Sequence, residues 1–393
     1  MIVSPLLWAS AVGRLSTVAT QLVVGYFLTP GQFGEFAVAS ALCNFLSLFQ
    51  SGDLSRLALQ SAVSKTPSAA ETRSLLLVGC LLTGSAILGI ALLSLGKINP
   101  WFAGCLVLLP FLRVMANTRV TLLSSVRATD KLAIVSSVEA ITRSSVSISL
   151  AIAGLGGWSL IIGEVFAVMA SLLTLAWFCA GPRDALILRL DCLPSVGMVV
   201  LSSFLNLVER ELPVFAVGYA LNSTEAGSYA FAYRIATQLV IVMVPMIALE
   251  TIPRLIAARA DWTSFELTRV AERRRLTQIC AGLVFLLAVC APLAIYLLWG
   301  ARWIDAVQIL PVLVVATAFR IGYLFNRAVL EARGQFRTIF SISVLDAAFI
   351  VAATLAALLL GGTVLLALAL LAEVLVVLWI SRAVTLKVLA ARS

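Results

Sequence analysis

Apolar stretches of roughly 20 residues, separated by short polar linkers, recur along almost the whole chain. A helix rising about 1.5 Å per residue needs that length to cross the hydrocarbon core of a bilayer. The pattern predicts twelve spans, at roughly 6–27, 36–52, 73–95, 101–121, 133–154, 158–180, 195–217, 226–250, 277–299, 303–326, 338–360 and 363–385. The runs lack the alternation of barrel strands. Backbone groups in lipid must be satisfied internally, so an all-α integral membrane protein is expected. Pro110, Pro213, Pro245, Pro292 and Pro311 fall inside spans. Each removes a backbone donor and clashes with the preceding turn, which predicts kinks or local unwinding.

Composition agrees with the pattern. Of 393 residues, 61% are hydrophobic and 12% are charged, more apolar surface than a soluble domain of this size could hide. Of the 28 basic residues, twenty fall in the linkers after even-numbered spans, at their borders, or in the tail. Only Lys97 and Arg302 lie in the linkers after odd-numbered spans. The positive-inside rule then predicts cytoplasmic termini, in the inner membrane if the cell is bacterial. The net charge of +9 is thus a topology signal rather than a mark of nucleic-acid binding, and it also favours anionic lipid headgroups. A cleaved signal peptide is not expected, because Met1–Pro5 carries no basic side chain and the first span is long enough to stay as a helix.

The candidate chemistry is notable for what is missing. Histidine is absent, which removes the usual general base and the commonest zinc ligand. No Walker A, GxSxG, HExxH or GxGxxG sequence occurs. The seven cysteines show no CxxC spacing and read as small hydrophobes. Neither an enzyme nor a cofactor or metal site is expected.

The two halves of the chain match one another. Gly34, Phe36 and Ala37 after the first span pair with Gly227, Tyr229 and Ala230 after the seventh. Arg127–Lys131 matches Arg333–Arg337, and Glu139-Ala140 matches Asp346-Ala347. Gly156-Gly157 and Glu164-Val165 match Gly361-Gly362 and Glu373-Val374. Six spans per half is an even number, so both copies enter from the same face. The expectation is two six-helix bundles, residues 1–190 and 191–393, related by a parallel pseudo-two-fold repeat around a central cavity. This is a transporter architecture. Within the second half, residues of about 259–276 form a cytoplasmic linker helix, with Thr263 to Glu266 reading as a capping box.

Ionised groups at membrane depth are costly, and each is a functional candidate. Arg14 and Arg210 occupy corresponding helices. Arg14 precedes Gly34, and Arg210 precedes Gly227, by intervals that differ by about one helical turn, and Arg234 lies on the helix that follows Gly227. With Arg320 they are the candidates for a cationic, phosphate- or pyrophosphate-binding centre, since each guanidinium offers a permanently charged fork of donors. Glu209 and Glu211 flank Arg210 and could neutralise it. Glu139, Arg143, Glu164, Asp346 and Glu373 are candidates for ion coupling or for structural pairs. Glu139 and Arg143, at i, i+4, can pair on one helical face.

Several segments resemble those of a known family. Leu28-Thr29-Pro30 to Gly34-Glu35-Phe36 looks like the "LTPxxFGxF" hallmark of lipid-linked oligosaccharide flippases, a branch related to the multidrug and toxin extruders. Gly154–Leu160, Gly227–Arg234 ("GxYxxAxR"), Pro253-Arg254, Trp299–Trp303 and Glu331–Gly334 are similar to later landmarks of that family. Tyr26-Phe27 stands where relatives often carry an arginine, and Gly52-Asp53 replaces a more apolar turn. The resemblance implies a Wzx-type flippase. Such a protein moves an undecaprenyl-diphosphate-linked oligosaccharide to the periplasmic leaflet, with a polysaccharide polymerase and a chain-length regulator as possible partners. A cation exporter of the extruder branch would want an acidic cavity. A polymerase or ligase would want a large periplasmic loop that this chain lacks.

Overall fold

The computed structural model describes residues 13, 16, 20–46, 109, 112, 113, 116, 119, 120, 123, 129–178 and 193–390. All regular structure among them is helical. The third predicted span lies outside the described residues, as do most of the first and fourth, including Arg14 and Pro110. The chain divides into two compact units, Met1–Leu207 and Val208–Ser393, with the boundary inside one long helix, Leu193–Ala220.

In the first unit, residues 20–27 are helical and α1 runs Pro30–Leu46. The hallmark segment is a helix start written residue by residue. Leu28 precedes the cap, Thr29 caps, Pro30 opens the first turn, and Gln32 reaches back. The Thr29 backbone N–H donates to Gln32 Oε1 at 3.1 Å, and the Gln32 N–H donates to Thr29 Oγ1 at 3.3 Å. This is a reciprocal capping box with proline where its missing donor costs nothing. Leu28 and Phe33, at the two staple positions around the cap, are both fully buried. Helices α2 (Thr129–Ile152) and α3 (Trp158–Phe178) pack against each other along their length. Gly163 permits this, because a Cβ there would lie 2.0 Å from Ser147 Oγ and 3.2 Å from the Arg143 carbonyl oxygen.

Helix α4 (Leu193–Ala220) keeps its α-helical form through Pro213. In the second unit, α5 (Ser223–Ala236) opens as α1 does. Asn222 Oδ1 accepts from the Glu225 N–H at 2.8 Å while its Nδ2 donates to Glu225 Oε1 at 2.9 Å. The interval along the chain from Thr29 to Asn222 equals that from Gln32 to Glu225. Phe36 and Ala37, like Tyr229 and Ala230, are buried, so the repeat extends from letters to capping and packing.

Helix α6 (Gln238–Met246) passes through a π-turn, Ile247–Thr251, into α7 (Ile252–Ala257). The next helix, α8 (Trp262–Phe285), passes through a second π-turn, Leu286–Cys290, into α9 (Ala291–Trp299). The second residue of the helix after each π-turn is a proline, Pro253 and Pro292. A proline's ring clashes with the carbonyl four residues earlier and leaves it without a donor. Those carbonyls, on residues 249 and 288, sit at the middle of the two π-turns, where widening by one residue makes room. The linker helix differs from expectation in two ways. Its cap is Asp261, which accepts from the Thr263 and Ser264 N–H groups at 3.3 and 2.8 Å, and Glu266 turns instead to Arg269. It also runs without a break into the ninth span.

The remaining helices are α10 (Ile304–Ala332), α11 (Phe336–Leu360) and α12 (Thr363–Ala390). Helix α10 is the centre of the second unit, packed on α5, α6, α9, α11 and α12. It ends in a Schellman motif, with the Gln335 N–H on the Leu330 carbonyl and Gly334 at a φ of +73°.

Candidate functional site

The ionisable side chains at membrane depth gather into two clusters, one in each unit, built on corresponding positions. In the first unit, Arg113 Nη2 lies 2.9 Å from Glu164 Oε2, and its Nη1 donates to Asn44 Oδ1 at 3.5 Å. Arg143 Nη2 lies 2.6 Å from Glu139 Oε1, and its Nε lies 3.0 Å from Glu164 Oε1. Glu164 is therefore held between two guanidinium groups. The close approach of α2 and α3 at Gly163 brings Glu164 to Arg143. Spacing along α2 alone accounts for the Glu139–Arg143 pair.

In the second unit the cluster surrounds Arg320 on α10. Its Nε meets Glu209 of α4, its Nη2 lies 2.8 Å from Asp346 Oδ2 of α11, and its Nη1 lies 3.6 Å from Glu373 Oε2 of α12. The Arg320 side chain is 14% exposed, Asp346 5% and Glu373 2%. Among the described residues, Asp346 Oδ1 and both Glu373 oxygens are buried with no hydrogen bond of ordinary geometry. The interval from Arg113 to Arg320 equals that from Glu139 to Asp346, and the interval from Glu164 to Glu373 is longer by only two positions. Three members of the cluster are therefore duplicated. The other members are not. Arg143 corresponds in register to Ile350, and Glu209 corresponds to Ser16. The first copy balances two arginines against two carboxylates; the second sets one arginine among three.

This placement separates the candidate arginines. Arg320, grouped by sequence with the phosphate-binding set, is enclosed by carboxylates. Arg210 is 63% exposed at its side chain and touches Glu211 at 3.0 Å, and Arg234 is half-buried on α5. Arg14 lies outside the described residues. Glu209, adjacent to Arg210 in sequence, pairs with Arg320 instead. Tyr233, which sequence reasoning did not single out, lies within electrostatic reach of Glu209, Arg320, Arg210 and Glu211. Arg113 stands out in sequence as an arginine inside the fourth span but was given no role there. Its offset from Arg320, the same as that of Glu139 from Asp346, was the signal that could have found it.

An all-helical membrane protein of two units, each holding one copy of a repeated set of helix starts and intramembrane ion clusters, is the plan of a two-lobe transporter. Solved structures with that fold are similar to this chain. A lipid II flippase, MurJ, in an inward closed conformation matches with a TM-score of 0.70 at 14% identity, over 95% of this chain and 85% of that one. A MOP superfamily transporter from Pyrococcus furiosus, described as having a binding pocket of reverse polarity, matches with a TM-score of 0.65 at 15% identity, over 98% and 94%. An inward-facing multidrug resistance MATE family transporter of the same superfamily matches with a TM-score of 0.63 at 15% identity, over 100% and 97%. No curated protein matches the chain in sequence. The chain belongs to the polysaccharide biosynthesis protein family, which it matches over residues 23–308. It is a multi-pass membrane protein with the MOP superfamily fold.

Proposed function

We propose that this protein is a flippase. It moves an undecaprenyl-diphosphate-linked oligosaccharide unit, a precursor of O-antigen, capsule or exopolysaccharide, from the cytoplasmic to the periplasmic leaflet of the bacterial inner membrane by alternating access. Its termini are cytoplasmic, and a polysaccharide polymerase and chain-length regulator act on what it delivers. Membership of the polysaccharide biosynthesis family over residues 23–308 carries this proposal, and the likeness in fold to a lipid II flippase supports it.

Arg14, Arg210 and Arg234 are the proposed contacts to the pyrophosphate, which planar, permanently charged guanidinium groups suit. Arg320 takes a different role. Three carboxylates around one guanidinium at membrane depth leave an excess of negative charge where water is scarce, which is costly to hold without a further cation. The cluster of Glu209, Asp346 and Glu373 around Arg320 is therefore assigned to taking up and releasing a proton in the transport cycle. The balanced first copy, Glu139, Arg143 and Glu164 with Arg113, holds its helices together.

The acid surplus of the second copy also favours a second reading, export of an organic cation as in the extruder branch. Complementation of a flippase-deletion strain that retains the matching glycan pathway separates the two. The expected result is that the wild type restores surface polysaccharide, that well-expressed R210A and R234A do not, and that E373Q transports with an altered dependence on the proton gradient. A wild type that fails to restore polysaccharide in its own pathway, yet confers resistance to cationic dyes, would replace the flippase reading with the exporter.

A further inference from the structure

The cytoplasmic end of the second unit carries a set of arginines that its own carboxylates do not neutralise. Most of the charges there are matched. Glu272 accepts from Thr251 Oγ1 at 3.0 Å and pairs with Arg254, while Arg275 Nη2 lies 2.7 Å from Glu250 Oε2. Arg269 forks onto Glu266 Oε2 through Nε and Nη2 at 2.9 and 2.6 Å. Arg333, the residue that ends α10, stacks its guanidinium 3.9 Å from the Phe265 ring centroid and 5.0 Å from that of Trp262, which fastens the start of α8 to α10.

Arg273 and Arg274 on α8 and Arg382 on α12 are left over. All three are exposed, and none has a carboxylate partner among the described residues. The charged groups that act on Arg273 are Arg382 and Arg269, both cations. Partial burial, followed by these two neighbours, holds the Arg273 guanidinium below the usual arginine range. Arg273, beside Arg274 in sequence, therefore faces cations on its own helix and on α12.

Its position says what relieves the repulsion. Arg274 precedes the centre of the ninth span, near residue 288, by roughly four helical turns, or about 21 Å along the helix axis. That is the depth of the headgroups in a bilayer roughly 40–45 Å thick. Down one face of α8 from Arg274 the exposed positions are Gln278, Ala281 and Phe285, polar at the headgroup and apolar below it. On α12, Trp379 is 72% exposed one turn before Arg382, an aromatic side chain on the membrane side of that arginine.

We propose that Arg273, Arg274 and Arg382 form a binding site for the headgroup of an anionic phospholipid of the cytoplasmic leaflet, whose acyl chains lie along the exposed apolar face below Arg274. The phosphate replaces the missing counter-charge and bridges α8 to α12. This site is separate from the proposed pyrophosphate contacts and does not depend on the transported substrate.

The test is lipid retention by the purified full-length protein, read by native mass spectrometry and by thermal unfolding in detergent supplemented with phosphatidylglycerol or phosphatidylcholine. Wild type should retain phosphatidylglycerol selectively and unfold at a higher temperature with it. Each arginine near an anionic surface contributes about 1 kcal/mol, so R273Q/R382Q should bind about 30-fold more weakly. R273K/R382K should recover most of the binding, and R259Q, which removes an exposed charge elsewhere on the same surface, should match wild type. The proposal fails if R259Q loses as much as the double variant, or if phosphatidylcholine is retained equally. It also fails if millimolar inorganic phosphate gives the same stabilisation, or if a polyprenyl diphosphate displaces phosphatidylglycerol from wild type at equal concentration, because the occupant would then be free phosphate or the transported lipid.

Discussion

The two ion clusters share one plan and differ in charge. Both hold an arginine and two carboxylates at matched positions, Arg113, Glu139 and Glu164 in one unit and Arg320, Asp346 and Glu373 in the other. Two exchanges separate them: arginine to isoleucine at 143 and 350, and serine to glutamate at 16 and 209. Together they move the formal charge from balanced to an excess of two negatives. A balanced buried cluster is static, since any change of protonation leaves a charge without a partner. A cluster with surplus carboxylates can gain a proton and become better matched. Divergence at two positions is enough to turn a charge-balanced cluster into one with surplus carboxylates.

The sharpest way to break the comparison is to remove the central cation. Arg320→Ala removes the guanidinium that three carboxylates at membrane depth share, and should destabilise the protein by about 3–5 kcal/mol. Arg113→Ala should cost clearly less, because Glu164 keeps Arg143. Thermal unfolding in detergent, with both variants side by side, measures the difference. Next in size is Gly163→Val, expected to cost about 1–3 kcal/mol by forcing α2 and α3 apart. At Gly322 a Cβ would lie 3.2 Å from the mobile end of Leu378, so Gly322→Ala should have a smaller effect in the same assay.

Neutralising one carboxylate in each cluster sharpens the contrast by sign. Glu164→Gln leaves Arg113 without a carboxylate partner among the described residues and Arg143 with Glu139 alone, and should lower the unfolding temperature, whereas Glu373→Gln relieves the acid surplus and should leave it unchanged or raise it. Equal losses in the two variants would mean that the clusters are equivalent and that the second is not a proton site. The smallest effect tests the part of the repeat that has not diverged. Thr29→Ala and Asn222→Ala should each cost about 1 kcal/mol, since in both caps the side-chain oxygen accepts the N–H of the residue three positions on.

Much of the architecture could be read without coordinates. The length and spacing of the apolar runs locate the described helices to within a few residues at most ends. The Leu-Thr-Pro-x-x-Phe run states a helix start in the order of its own cap, box and staple positions. The Glu139–Arg143 pair follows from i, i+4 spacing. The sharing of Glu164 does not, because it depends on Gly163 letting a second helix come close. The π-turns were half legible. Prolines mark the sites, but Pro253, set at a helix exit, was not recognised as one of them, and Pro213, which was, leaves its helix α-helical. The linker helix was misjudged at both ends, since the run of charges stops where the apolar run begins and the helix does not.

The cationic centre expected around Arg14, Arg210, Arg234 and Arg320 shows the limit most clearly. A one-dimensional pattern ranks arginines by depth and by correspondence, and on that basis Arg320 belonged with the others. Its three acidic partners come from helices beginning at Leu193, Phe336 and Thr363, and no local spacing relates them. The chain's covalent order determines hydropathy, capping, topology and the repeat, because these depend on neighbours within a turn or on the summed free energy of transfer into lipid. Which charge meets which was decided only by the tertiary packing, because Coulomb and hydrogen-bond energies depend on distances of a few ångströms between residues that lie far apart along the chain.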